Sequence, residues 1–277
     1  MKRTIKLVIY YLLYQLLCTM VVMTVAWVAM AIGSVDVHGN PGALVQTLQS
    51  ADLSGNTTVI ALGVLLAAVV MVWHLVHFRY IRVENDFLHT KGSIVVLLVC
   101  IPFVYTAMFL VDTLCGCLDL PDLMEESFLD MSHNVWGILS MAVAAPVVEE
   151  CLFRGAIEGH LLRTWKRPWL AIAVSALVFG LVHMNPVQMV AAFLAGLVLG
   201  WLYYRTGSVL PSIVGHILNN SVAVVTMRVC SSDTQSLEEL AGEGALPWFI
   251  ALYSIVFVMC AVFLSKKLHR GCNLSEE

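Results

Sequence analysis

The chain has little charge. Asp, Glu, Lys and Arg make up 12% of its 277 residues, against 60% apolar residues. Soluble domains run at about 25% charged and about 45–50% apolar. An ordinary soluble domain is therefore excluded, and an all-α polytopic membrane protein is expected. No basic stripe with interleaved aromatics occurs, so a nucleic-acid partner is excluded too. The basic start MKRTIK is followed by an apolar run too long for a signal h-region, with no small-residue cleavage site. That run is expected to stay as a first membrane span. Internal repeats and low-complexity segments are absent. The ending CNLSEE has no cysteine fourth from its end, so it is not a prenylation signal.

Lys and Arg are missing from two whole loops, 33–58 and 112–134. A bilayer core about 30 Å thick needs roughly 20 apolar helical residues. By that rule eight spans are expected, near Leu7–Ile32, Val59–His77, Ile94–Val111, Val135–Ala156, Trp169–Met184, Val187–Tyr204, Val209–Met227 and Pro247–Leu264. This threading puts 14 of the 15 basic residues on one side, Arg228 being the exception. Basic loops face the cytoplasm, so both termini are expected there, in a multi-pass protein of a bacterial cytoplasmic membrane. Acidic residues (Asp112, Asp119, Asp122, Glu125, Glu126 and Asp130) populate the third loop. Three parts are expected: residues 1–133 with three spans, a core at 134–230 with spans four to seven, and residues 231–277 with the last span and tail.

The eight cysteines form no strong pattern. Cys18, Cys100, Cys151 and Cys260 lie in apolar runs as small packing residues. Cys115, Cys117 and Cys230 lie at loops, where the lone CxC leaves a disulfide or metal role open.

What charge there is within the spans is concentrated in the core. An ionisable residue at mid-bilayer costs roughly 2.5–3.5 kcal/mol even on gentle scales, and defaults to a functional hypothesis. The clusters are Glu149, Glu150 and Arg154; Phe179 and His183; Arg205; and His216 with Asn219 and Asn220. Glu150 and Arg154 are four residues apart and can pair on one helix face. Glu149 is rotated about 100° away and is free to act as a desolvated base. Pro146, one turn earlier, cannot donate to the Ala142 carbonyl, so a kink is expected there. The turn TWKRP (Thr164–Pro168) lies 15 residues after Glu149 and 15 before His183. Both therefore sit about 22 Å from that turn at 1.5 Å per residue. His216 and Asn220 share a face and reach a similar depth. Any one of these residues read alone is best taken as packing or interhelical glue. Glu, two His and Asn at one level on three helices reverse that preference. Gly180, Gly196, Gly200 and Gly215 read as helix-packing positions.

These residues also form a known pattern. EECLFR (149–154) resembles the EExxxR motif of the CPBP family of intramembrane proteases, FGLVH (179–183) its FxxxH motif, and HILNN (216–220) its HxxxN motif. The family includes the type II CAAX prenyl endopeptidases and the abortive-infection and bacteriocin-immunity proteins. The resemblance covers about 145–225. It implies an endopeptidase in which Glu149 and His183 activate water, His216 and Asn220 stabilise the oxyanion, and Glu150, Arg154 and Phe179 support them. Partners would be membrane lipid and a peptide or membrane-protein substrate. Glu149, His183 and His216 would also make a zinc set, although a metal-free glutamate mechanism accounts for every residue and is preferred. HExxH and GxGD signatures are absent. Two other classes fit part of the pattern: a non-proteolytic scaffold or immunity protein, and a small transporter using Glu149 and His183 as a proton relay. Inverted repeats, which favour a transporter, are not visible.

Overall fold

The structure is a computed structural model and describes residues 2–38, 53, 55–81, 94–230 and 244–268, without the side chains of 33–38 and 229–230. Arg82, Lys91, Asp233, Glu238, Glu239, Glu243, Arg270 and Cys272, and the side chain of Cys230, lie outside the described residues. Cys115 and Cys117 are free thiols.

The described residues form helices and no strands. We number them α1 (Lys2–His38), α2 (Thr57–His77), α3 (Ile94–Gly116), α4 (Glu125–Ser132), α5 (Val135–Trp165), α6 (Pro168–Leu181), α7 (Pro186–Thr206), α8 (Leu210–Cys230) and α9 (Leu246–Lys267). Seven of them, all but α4 and α6, are long and apolar enough to cross a membrane. The expected fifth span is the one that falls short. At 14 residues, α6 is about 21 Å long by the standard helical rise, against a bilayer core of about 30 Å. The short amphipathic α4, with Glu125 and Glu126 in its first turn, has no counterpart among the expected spans.

Local chemistry sets the boundaries. Asn56 caps α2 by accepting from the Val59 N–H at 3.1 Å. Asn134 caps α5 by accepting from the Trp136 N–H at 2.9 Å, and its amide donates to the Thr58 hydroxyl on α2. Such caps satisfy donors that the first helical turn leaves orphaned. Pro168 and Pro186 open α6 and α7, where a missing N–H costs nothing. Gly207 ends α7 in the left-handed region, with φ 70°.

α1 packs on α2, α6 lies against α7, and α3 receives α7, α8 and α9. α5 runs through the middle, touching α1, α2, α6, α7 and α8. One apolar cluster surrounds it, from Leu7 and Tyr11 through Leu152, Phe153 and Ile157 to Phe179 and Ile213. A second joins α3, α7 and α9 around Phe103, Val104, Leu202 and Leu264. The expected small-residue packing is present: a methyl group at Gly196 would fall 2.9 Å from the Ala176 Cα, and one at Gly180 would fall 2.6 Å from the Met189 carbonyl. Close backbone approach of this kind drives helix association in lipid, where no hydrophobic force separates helix from solvent.

Candidate active site

α5 is not a uniform helix. Ser140–Ala144 and Glu150–Glu158 are π-helical, and Ala145–Glu149 between them is α-helical. π segments are rare and concentrate at functional sites. The first of them changes which carbonyl Pro146 strands. The Ala145 N–H donates to Ser140, five residues back. In that register the partner of residue 146 is Met141, not Ala142. Proline has no N–H to give it. The Asn220 amide supplies the missing donor, with Nδ2 3.0 Å from the Met141 carbonyl. One hydrogen of that amide is thereby committed to the α5 backbone, and the other is left for a ligand. Asn220 Oδ1 accepts from Asn219 Nδ2 at 3.4 Å.

Glu150 is fully buried, and its Oε1 has two cationic or donor neighbours. Arg154 Nη1 lies 2.9 Å away, the expected pair four residues along. His216 Nδ1 is also 2.9 Å away. Glu150 therefore does more than neutralise Arg154: it orients the α8 imidazole. Accepting from Nδ1–H fixes the tautomer and directs Nε2 toward Glu149 Oε2, 3.8 Å off. The two adjacent glutamates thus reach one histidine from two sides. Arg154 continues the network, with its guanidinium 4.4 Å from the centre of the Phe179 ring. Phe179 in turn meets His183 and His216 edge-on, at 5.0 and 6.1 Å between centroids.

His183 lies just past the end of α6. Its Nδ1 is 2.8 Å from the Phe179 carbonyl, which leaves Nε2 for other partners. Among the described residues no hydrogen bond joins His183 to Glu149. The expected site residues Glu149, Glu150, Arg154, Phe179, His183 and His216 therefore form one connected cluster, and Asn220 borders it through Met141. Arg205 stands apart. It donates to the carbonyls of Ser265 and Leu268 and so caps the end of α9.

No three His, Cys, Asp or Glu side chains among the described residues converge closely enough to hold one metal ion. In the Glu149, His183 and His216 set, Nδ1 is held by Glu150 in His216 and by the Phe179 carbonyl in His183, so Nε2 is the nitrogen either ring would offer a metal.

The amino-acid sequence of residues 131–222 matches a family model described as type II CAAX prenyl endopeptidase Rce1-like. That segment, about a third of the chain, is similar to this family. The match contains all three motifs and ends two residues after Asn220. Comparison with curated proteins and with solved structures gave no match. The family level supports a membrane endopeptidase of the CAAX-protease type.

Two residues of this neighbourhood escape the sequence reading. Tyr11 of α1 is buried, and its side chain interacts with Glu149 and with Gln15. Its ring meets Phe153 edge-on at 6.3 Å. The available signal was Gln15, a polar residue one turn beyond Tyr11 in an otherwise apolar run. Glu158 is fully buried, and neither carboxylate oxygen has a hydrogen-bond partner. It follows Arg154 by four residues, as Arg154 follows Glu150. The expected span stopped at Ala156 and left Glu158 outside it.

Proposed function

We propose that the chain is an intramembrane endopeptidase that hydrolyses a peptide bond with water activated by Glu149. The observation that carries this reading is His216, held by Glu150 through Nδ1 at 2.9 Å and facing Glu149 through Nε2 at 3.8 Å. A carboxylate and an imidazole nitrogen at that separation can both touch one water at hydrogen-bond lengths of about 2.8 Å. Glu149 takes the proton as the water attacks the scissile carbonyl. The proton then passes to the leaving amine, as general acid–base catalysis requires. His183 offers Nε2 to the substrate. With Nδ1–H given to Glu150, His216 Nε2 accepts from the same water, and the second hydrogen of the Asn220 amide stabilises the oxyanion, with no reorganisation at the moment of reaction. Arg154 and Glu150 hold His216, and Phe179 packs the two imidazoles.

The basic ends support an orientation. Arg3 donates to the Tyr80 carbonyl at 3.2 Å and lies over the Tyr80 ring. The start of α1 and the end of α2 therefore share one face of the bundle. By the positive-inside rule that face, and both termini, are cytoplasmic. Substrate would be an apolar or lipid-anchored peptide reaching the site within the bilayer.

The test is a cleavage screen on a library of membrane peptides with purified protein. Glu149→Gln should abolish cleavage, a loss of about 10²–10⁴-fold for a general base, with the protein still folded. Equal rates in wild type and variant would refute the mechanism. A chelator arm tests the zinc alternative: activity lost to chelator and restored by zinc would replace the metal-free mechanism. Full cellular function in Glu149→Ala and His216→Ala variants would favour the scaffold reading instead.

A further inference from the structure

His183 sits in a turn between α6 and α7. It lies beyond the last regular turn of α6, and the next residue, Met184, has φ 50°. A side chain in that left-handed region is strained unless its surroundings hold it. Asn185 follows and is fully buried. It is the cap residue of α7, a position where asparagine normally accepts from its own helix. Here its side chain makes no such bond. It reaches instead to the segment before α4, more than sixty residues away in sequence. Oδ1 accepts from the Leu123 N–H at 3.1 Å, and Nδ2 donates to Asp122 Oδ1 at 2.8 Å. Asp122 Oδ1 also accepts from the Met124 N–H at 2.9 Å, which shapes the 122–124 turn to receive the amide.

We propose that Asp122 and Asn185 form a latch that positions His183: the segment before α4 clamps the strained turn so that the imidazole faces the α5 site. The inference rests on His183 acting on the substrate. Both latch residues are positioning residues, since neither touches the reacting atoms. Asp122 and Leu123 precede the family-matched segment, so this is a contribution to the site from outside it. The α6 helix is too short to carry His183 across the bilayer, and the latch meets it from the opposite side.

A swap tests the idea. Asn185→Asp sets two carboxylates against each other and opens the latch. Adding Asp122→Asn restores one donor, one acceptor and the Leu123 bond with the residues exchanged. Two readouts are taken on purified full-length protein. One is kcat and KM on a cleaved peptide. The other is the rate at which diethyl pyrocarbonate modifies His183, followed by mass spectrometry. Asn185→Asp should lower kcat by about 10–100-fold, the scale of a misplaced catalytic group, with KM little changed and His183 labelled several times faster. The double variant should recover most of both. A double variant no better than the single one overturns the latch, as does unchanged labelling in Asn185→Asp. If Asn185→Asp does not fold, Asp122→Ala opens the same bond from the exposed side and is held to the same two outcomes. The labelling arm decides the latch even if no peptide is cleaved, so failure of the protease reading and failure of the latch are distinguishable.

Discussion

α5 and α9 are both long enough and apolar enough to cross a membrane, yet their construction differs throughout. α9 is a regular helix whose most apolar stretch is only 6% buried in the bundle. Phe249, Leu252, Ile255, Val258 and Met259 are exposed on its outer side, toward what would be lipid, while Tyr253 and Phe257 pack against α3. α5 has half of its corresponding stretch buried, two π segments, and Glu149, Glu150, Arg154 and Glu158 on its length. Lipid tolerates any apolar side chain of roughly suitable size, so α9 needs only hydrophobicity. α5 must keep charges away from lipid, and it does so by burying them within the bundle, with Glu150 and Arg154 paired. A buried ion pair is weak evidence for stability, but breaking one is costly. The irregular helix is therefore the one that should be sensitive to substitution.

The comparison would be broken most directly at Arg154. Arg154→Met leaves the buried Glu150 without its cation, and should cost about 3–5 kcal/mol. Thermal unfolding in detergent reads it, and an unchanged midpoint would mean that the α5 charges are not coupled. Gly200→Ala comes next. A methyl group there would meet Glu158 Oε2 at 2.6 Å, and overpacking of this kind costs about 1–3 kcal/mol. The same melt should show a smaller drop than Arg154→Met. Tyr11→Phe removes one hydroxyl from the surroundings of Glu149. One hydrogen bond is worth about 0.5–1.5 kcal/mol, so cleavage should fall between about twofold and twelvefold while the fold is kept. The smallest effect belongs to α9. Val258, 54% exposed, should tolerate Val258→Ala within about 0.5 kcal/mol, as substitutions away from packed features do. A loss there larger than at Gly200 would show that α9 faces protein and not lipid.

Much of the architecture was legible beforehand. The eight apolar runs correspond to eight helices, with ends displaced by nine residues at the end of α5 and by six or fewer elsewhere. Hydropathy reports spans well because an unsatisfied backbone cannot lie in lipid. The Glu150–Arg154 pair was legible for a similar reason, since a four-residue spacing survives modest changes in helical pitch. The carbonyl freed by Pro146 was not. It depends on whether the helix there closes four or five residues back, and apolar residues such as Ser140–Ala144 carry no mark of that choice. Glu158 was obscured by a span boundary drawn too early. The second partner of Glu150 was invisible because it comes from a helix more than sixty residues later.

The sequence by itself determined the class of protein, the number of apolar helices, the cluster of ionisable residues in the core and the three motifs that resemble the family. These follow from composition and spacing along one chain, where periodicity and hydrophobic length act locally. Only the tertiary structure decided that His216 lies between Glu149 and Glu150, that Asn220 satisfies Met141, and that Asn185 reaches across to Asp122. Each depends on the rotation and depth of one helix against another. Those are set by side-chain packing, such as the close approach at Gly196 and Gly180, which no single segment encodes.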